Sequence, residues 1–361
     1  MKWRFLPIII ICLAYLGFSP AGLSRSQGIN VLLQISGDVN IKRLKWDRFQ
    51  KANIGNLLSQ DDRIQLSANA SATILCSNKK KWQVNPGKVS SVSEGCPPGT
   101  PTLTRPNSRR SPSRAPNETI PYIISPRNTA LLTNRPILRW NAVPGATRYR
   151  VRVQDASLTL DWQTETSSTQ IEYPGKPALQ PDSYYLLIVE TDRGTSSEEE
   201  QGTDLCFTLL DAQKAESVQT EITQIKQHKF TQEAEGLALA LLYQSYDLKA
   251  EAIELLEGLA KRESQTATVY LLLGDLYLQA GLSQQAKSPY LKALELAQQT
   301  ADIERQAEAQ VGLGEVDYGL DKTAEAVQWL KKAKASYLAL GNELPQIQEI
   351  EQRINEMERK R

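Results

Sequence analysis

The chain is poor in the residues that do chemistry. It has one histidine and two methionines in 361 residues. The histidine, His228, sits in the polar stretch KQHKFTQE. No Gly-x-Ser-x-Gly elbow, Walker loop, Rossmann glycine pattern or His-Glu-x-x-His pair occurs. Acyl transfer, nucleotide-dependent chemistry and zinc peptidase chemistry therefore lack their usual parts. Four cysteines without a C-x2-C spacing do not make a zinc site. The acidic residues fall on helix surfaces and turns, which gives no basis for the paired carboxylates of a glycosidase. Asp61 and Asp62 are adjacent, so on a strand they would point to opposite faces, and they read as a turn pair. The expectation is a protein that is not an enzyme and has no cofactor and no metal.

Concentrated positive charge is also scarce. The formal net charge is +1; the part before Ala212 is net basic and the part after it net acidic, so nucleic acid is not an expected partner. The notable basic cluster, Arg105, Arg109, Arg110 and Arg114, lies in a Pro/Ser-rich run and reads as a solvated linker. Long apolar runs are absent beyond the N-terminus, where MKWRFLPIIIICLAYLGFSPAGLS has the layout of a signal peptide over residues 1–24. An uncleaved anchor is the alternative. Ile11 before Cys12 argues against a lipidated N-terminus. A periplasmic or secreted location follows, and with it an oxidising compartment. Cys76 and Cys96 are then expected to form a disulfide across a loop closed by turns at Asn85–Gly87 and Gly95, with two buried thiols as the alternative. Cys206, in DLCFTLL, reads as a small buried hydrophobe.

The length exceeds what one core usually serves, so several domains are expected. Residues 28–96 hold short Val/Ile/Leu-rich runs with alternation at Val39 and Ile41 and again at Ile64 and Leu66, and turns at Gly37-Asp38, Asn69 and Asn85-Pro86-Gly87. This all-β segment, with Gly37-x-Val39, Gly55 before Leu57 and Leu58, and an Asp before Ile64-x-Leu66, resembles the FecR-type periplasmic domain. The resemblance implies an envelope module working through protein contacts, although no transmembrane segment for signalling follows. Residues 97–118, dense in proline, read as a semi-rigid linker. Residues 119–210 have the layout of an Ig-like or fibronectin-like sandwich: Pro136 and Trp140 open a strand, Pro144-Gly145 turns it, and Tyr149, Val151 and Val153 alternate with arginines. Tyr184, Leu186 and Ile188 mark a later strand. Trp140 and Tyr149 are expected in the core rather than in a sugar groove.

Beyond Ala212 the pattern becomes helical and repeats. Ala240, Tyr243 and Ala252 recur about 34 residues later as Gly274, Tyr277 and Ala286, with Tyr290 and Ala293 after them. A third copy has Gly314, Ala326, Leu330 and Ala333, with Asp317 where the others carry Tyr; it starts later than the period requires, through lengthened helices or an extended turn. The pattern resembles the tetratricopeptide repeat (TPR), an all-α solenoid of helix pairs. The small residues allow close helix contact, and the large ones fill the space beside them. Asp247, Gly281 and Asp321 are placed at left-handed turns, and Ser283 and Thr323 as helix caps. Three repeats span 233–340, with capping helices at 212–232 and 341–361. The resemblance implies a groove for a protein or peptide partner, with Gln244, Asp275, Gln279, Glu315 and Tyr318 on its polar face. The overall reading is a non-catalytic periplasmic or secreted adaptor. The alternative is a cell-wall or polysaccharide-binding protein acting through its β domains.

Overall fold

The computed structural model describes residues 28–97, 103, 117–155, 157, 159–181, 183–200, 205–341 and 343–359. The signal-peptide reading, Cys12 and the four linker arginines lie outside these residues. A β-sheet region over residues 30–209 is followed by a stacked all-α region. Two compact units result: the described residues from 28 to 103 join those from 213 to 359 in one, and the described residues from 117 to 212 form the other.

In the first unit the N-terminal strands are β1 (Asn30–Ser36), β2 (Val39–Lys42), β3 (Gln50–Lys51), β4 (Leu57–Leu58), β5 (Arg63–Leu66), β6 (Ser71–Leu75), β7 (Lys81–Gln83) and β8 (Val89–Ser91), followed by a one-turn helix α1 (Val92–Gly95). They make two antiparallel four-stranded sheets, β4-β1-β6-β7 and β3-β2-β5-β8. Val39, Ile41, Ile64 and Leu66 point inward at alternate positions, as a half-buried sheet requires. Gly37 joins β1 to β2 at φ 76°. A Cβ there would lie 3.1 Å from Ala70, so the turn needs glycine twice over. Cys76 and Cys96 are joined by a disulfide and are 1% and 0% exposed. Leu103, in the segment read as linker, is buried and pairs its backbone with Ile29 and Ser77.

The second unit contains β9 (Ile123–Ser125), β10 (Thr129–Leu131), β11 (Ile137–Trp140), β12 (Tyr149–Asp155), β13 (Asp161–Thr166), β14 (Gln170–Glu172), β15 (Tyr185–Thr191) and β16 (Phe207–Leu209). One sheet runs β14-β11-β9, the other β10-β16-β15-β12-β13, with β10 parallel to β16. Tyr149, Val151 and Val153 face inward and Arg150 outward, where it meets Glu165 and Glu190. The expected strand through Tyr184 needs correction. Tyr184 precedes β15 and is 45% exposed, while Tyr185 is buried, because the Tyr185 hydroxyl is tied to the backbone of Gln180 and so sets which face turns inward. Cys206 is half-buried rather than enclosed, at the approach to the last strand.

The helices are α2 (Ala212–Gln227), α3 (Gln232–Ser245), α4 (Lys249–Lys261), α5 (Ala267–Gln279), α6 (Ser283–Gln299), α7 (Ile303–Gly319), α8 (Thr323–Leu338) and α9 (Pro345–Arg359). From α3 to α9 they stack as consecutive neighbours, with α7 also meeting α5. The displaced third copy is explained by length: α6 and α7 have 17 residues each against 13 in α4 and α5. Lys229, Asp247, Glu263, Gly281, Ala301 and Asp321 adopt positive φ at the connections from α2 through α8. Ser283 and Thr323 are not caps. Each is the first residue inside its helix, and the cap positions fall on Leu282 and Lys322, which make no side-chain cap bond. The tight reversal over Gly281 and Asp321 brings the helix start one residue earlier, with the Leu282 and Lys322 N–H groups bonded back to Tyr277 and Asp317.

Candidate functional site

The small and large residues of the repeats meet as their types require. Ala240, Ala252, Gly274, Ala286, Gly314, Ala326 and Ala333 are buried at helix contacts. Tyr277 and Tyr290 are buried beside them, and Tyr243 half-buried. Tyr290 lies between two glycines: a Cβ would come within 2.9 Å of its ring at Gly274 and within 2.3 Å at Gly312. Gly312 escaped the repeat pattern, which marks Gly314; the lengthened α7 adds a second close approach two residues earlier. Asp317, where other copies have Tyr, accepts from Lys287 Nζ at 2.7 Å and from Trp329 Nε1 at 3.1 Å, so the buried carboxylate is paired.

The N-terminal strands pack directly on these helices. Residues of β2, β5 and β6 share one hydrophobic cluster with Ala307, Leu330, Tyr337, Ile350 and Met357. Polar contacts pin the same junction. Arg43 donates to Asp62 and to both oxygens of Glu304. The Asn53 and Asn56 amides donate to Asp302, whose other oxygen caps α7 at Arg305 N–H. Thr268 Oγ1 donates to the Gly55 carbonyl at 3.2 Å. His228 Nε2 donates to the Lys79 carbonyl at 2.7 Å, and Lys79 is ion-paired with Glu221. Asp62 is thus a structural partner of Arg43, and His228 a bridge between strands and helices. Burial pushes the carboxyls of Asp62 and Asp302 up from the ordinary range, against the pull of Arg43 on one and Arg305 on the other.

Beside this junction a cavity of about 520 Å³ opens against α5, α7, α8 and α9, with Leu57 of β4 on its wall. Of the residues placed on the groove by repeat position, Asp275, Gln279 and Glu315 line it; Gln244 and Tyr318 do not. Asp275 and Gln279 are half-buried and Glu315 is buried. Two of these also have internal duties. Asp275 accepts from the Tyr290 hydroxyl at 2.6 Å. Glu315 takes a bidentate pair from Arg353 at 2.8 and 2.7 Å, and Arg353 in turn lies 4.7 Å over the Tyr318 ring. Gln244 is half-buried, and its side-chain amide makes no hydrogen bond among the described residues. The apolar part of the wall includes Leu271, Leu272, Val311, Leu330 and Ile350. Apolar walls with a few convergent polar groups suit the capture of a side chain or short segment. Arg305 lies in the first turn of the lengthened α7, ahead of the positions the repeats share, and Glu349 and Arg353 lie on α9, outside the repeats, so repeat spacing marks none of the three.

Among the described residues, no helix is long and apolar enough to cross a membrane. Residues 265–339 match the family model described as tetratricopeptide repeat, which covers α5 to α8. No curated protein matches the chain. The matched repeats are of a type associated with protein–protein interaction.

Proposed function

We propose that this chain is an exported, non-catalytic adaptor that holds a protein or peptide partner in the cleft bounded by α5, α7, α8 and α9. The cavity of about 520 Å³, with Asp275, Gln279 and Glu315 on its wall, is the observation that carries this reading. The N-terminal strands act as a FecR-like envelope module fixed to the repeats, consistent with their two four-stranded sheets. Residues 119–210 act as an Ig-like spacer. The two-sheet arrangement supports this, as does Tyr185 at the start of β15, whose hydroxyl reaches back to Gln180 in the manner of a tyrosine corner. The buried Cys76–Cys96 disulfide supports a periplasmic or secreted location. The alternative, glycan binding by the β domains, loses its clearest platform, since Trp140 and Tyr149 are 2% and 3% exposed and pack edge to face.

The test uses the full chain carrying a photo-crosslinking side chain at Gln279 and, as control, at the exposed Glu295. Discrete adducts with an envelope protein from Gln279 alone are the expected result. Equal labelling from both positions, or none from Gln279, would overturn the groove as the binding face.

A further inference from the structure

The wall of the cleft carries four carboxylates, Asp275, Glu308, Glu315 and Glu349, against two guanidinium groups, Arg305 and Arg353. Both arginines already have carboxylate partners on that wall. Arg353 is held by Glu315 through two bonds, and Arg305 pairs with Glu308 through Nη1. Four acids against two bases leave an excess of two negative charges in a cleft with leucine-rich walls, which focus the field on whatever enters. Two further groups on the wall point to the kind of molecule. Arg305 is 3% exposed, and its Nε and Nη2 have no hydrogen-bond partner among the described residues. Gln346 Oε1 is a buried acceptor in the same condition. Buried donors and acceptors are costly until paired. A ligand that supplies a carbonyl and an N–H together pairs both, and a peptide backbone is such a ligand.

From this we propose that the cleft takes an extended peptide segment carrying lysine or arginine. A backbone carbonyl meets Arg305 and a backbone N–H meets Gln346. The cationic side chain lies toward Glu349, with its methylene stem along Leu271 and Leu272. The proposal rests on the groove reading above and names the chemistry of its occupant.

Two labelled synthetic peptides of equal length test it by fluorescence anisotropy with the full chain: lysine alternates with leucine in one, and glutamate with leucine in the other. The lysine peptide is expected to bind, and to weaken about tenfold or more, equivalent to about 1.4 kcal/mol, in Glu349→Lys. It should also weaken with added salt. Glu349 is exposed, so that variant is expected to fold. Gln346→Leu is expected to lower affinity roughly fivefold with the salt dependence unchanged. Tighter binding of the glutamate peptide, or indifference to Glu349→Lys, would overturn the proposal. If neither peptide binds while Gln279 still crosslinks a partner, this proposal fails and the groove reading stands. If both assays are negative, both fail.

Discussion

Arg43 grips Glu304 with two parallel hydrogen bonds, 2.5 Å from Nε and 2.6 Å from Nη2, across 261 positions of sequence. Its remaining Nη1 reaches Asp62 at 2.5 Å. One guanidinium therefore neutralises a carboxylate from each side of the junction between strands and helices. Arg43→Ala strands both acids in a largely buried place and is expected to cost about 3 kcal/mol. The double replacement Arg43→Met with Glu304→Leu should cost clearly less than Arg43→Ala. Urea unfolding, with hydrogen exchange followed at β2 and α7, reads both outcomes.

Gly55 offers a cleaner probe of the same junction. It sits at φ 85°, and a Cβ there would be 2.7 Å from Thr268, whereas Gly87, at φ 76°, has nothing within 4 Å. Ala at Gly87 should cost only backbone strain, about 1 kcal/mol. At Gly55 the clash with α5 adds to that, for a total of roughly 2–4 kcal/mol. Equal unfolding midpoints for the two variants would contradict the close approach.

Tyr290 between Gly274 and Gly312 sets up a reversal of the usual helix rule. Gly→Ala inside a helix ordinarily gains up to about 1 kcal/mol. At Gly312 it is expected to lose about 1–3 kcal/mol, because the ring has no room to retreat. Replacing Tyr290 with Leu in the same chain should recover part of the loss, measurable as a rise in thermal midpoint.

The Cys76–Cys96 disulfide closes a loop with a sequence separation of 20. Replacing both cysteines with serine should lower stability by about 3 kcal/mol on chain-entropy grounds. Non-reducing against reducing electrophoresis of trypsin fragments locates the bond, and denaturant unfolding gives the cost.

Asp302 predicts a pH effect with a definite sign. Burial raises its carboxyl above the ordinary value, so the folded chain holds this proton more tightly than the unfolded one. Its contribution is fully present below the ordinary carboxylate pKa and is lost as pH rises through the raised value. Asp302→Asn removes that titration. Relative to the wild type, the variant should gain stability as pH rises from about 4 to 7. A constant difference across that range would show that Asp302 does not titrate abnormally.

The helical repeats were legible because close helix packing leaves a mark in residue size, as at Gly274, Ala286 and Tyr290. The left-handed turns at Asp247, Gly281 and Asp321 were legible for a similar reason, since few residues tolerate that backbone. The docking of the strands on the helices was not legible. Arg43 lies just past the end of the alternating strand β2 and Glu304 in the first turn of α7; alone, each looks like ordinary solvated surface. Ion pairs between distant segments leave no periodic trace. For the same reason Asp275 and Glu315 read as a recognition face without their partners Tyr290 and Arg353 coming into view.

The six connections from α2 to α8 hold one left-handed residue each, and at five of them that residue carries a side chain. Such a residue prefers the right-handed region by about 1–2 kcal/mol, less for Asp. The connections therefore do not hold themselves; the helices on either side hold them. Prising one helix away from its neighbour frees the connection to relax, which removes the reason for the helix to return. The consequence is mechanical interdependence. The coupling runs between neighbours, so a partner that stiffens one helix of the cleft is expected to stiffen the connections on either side of it.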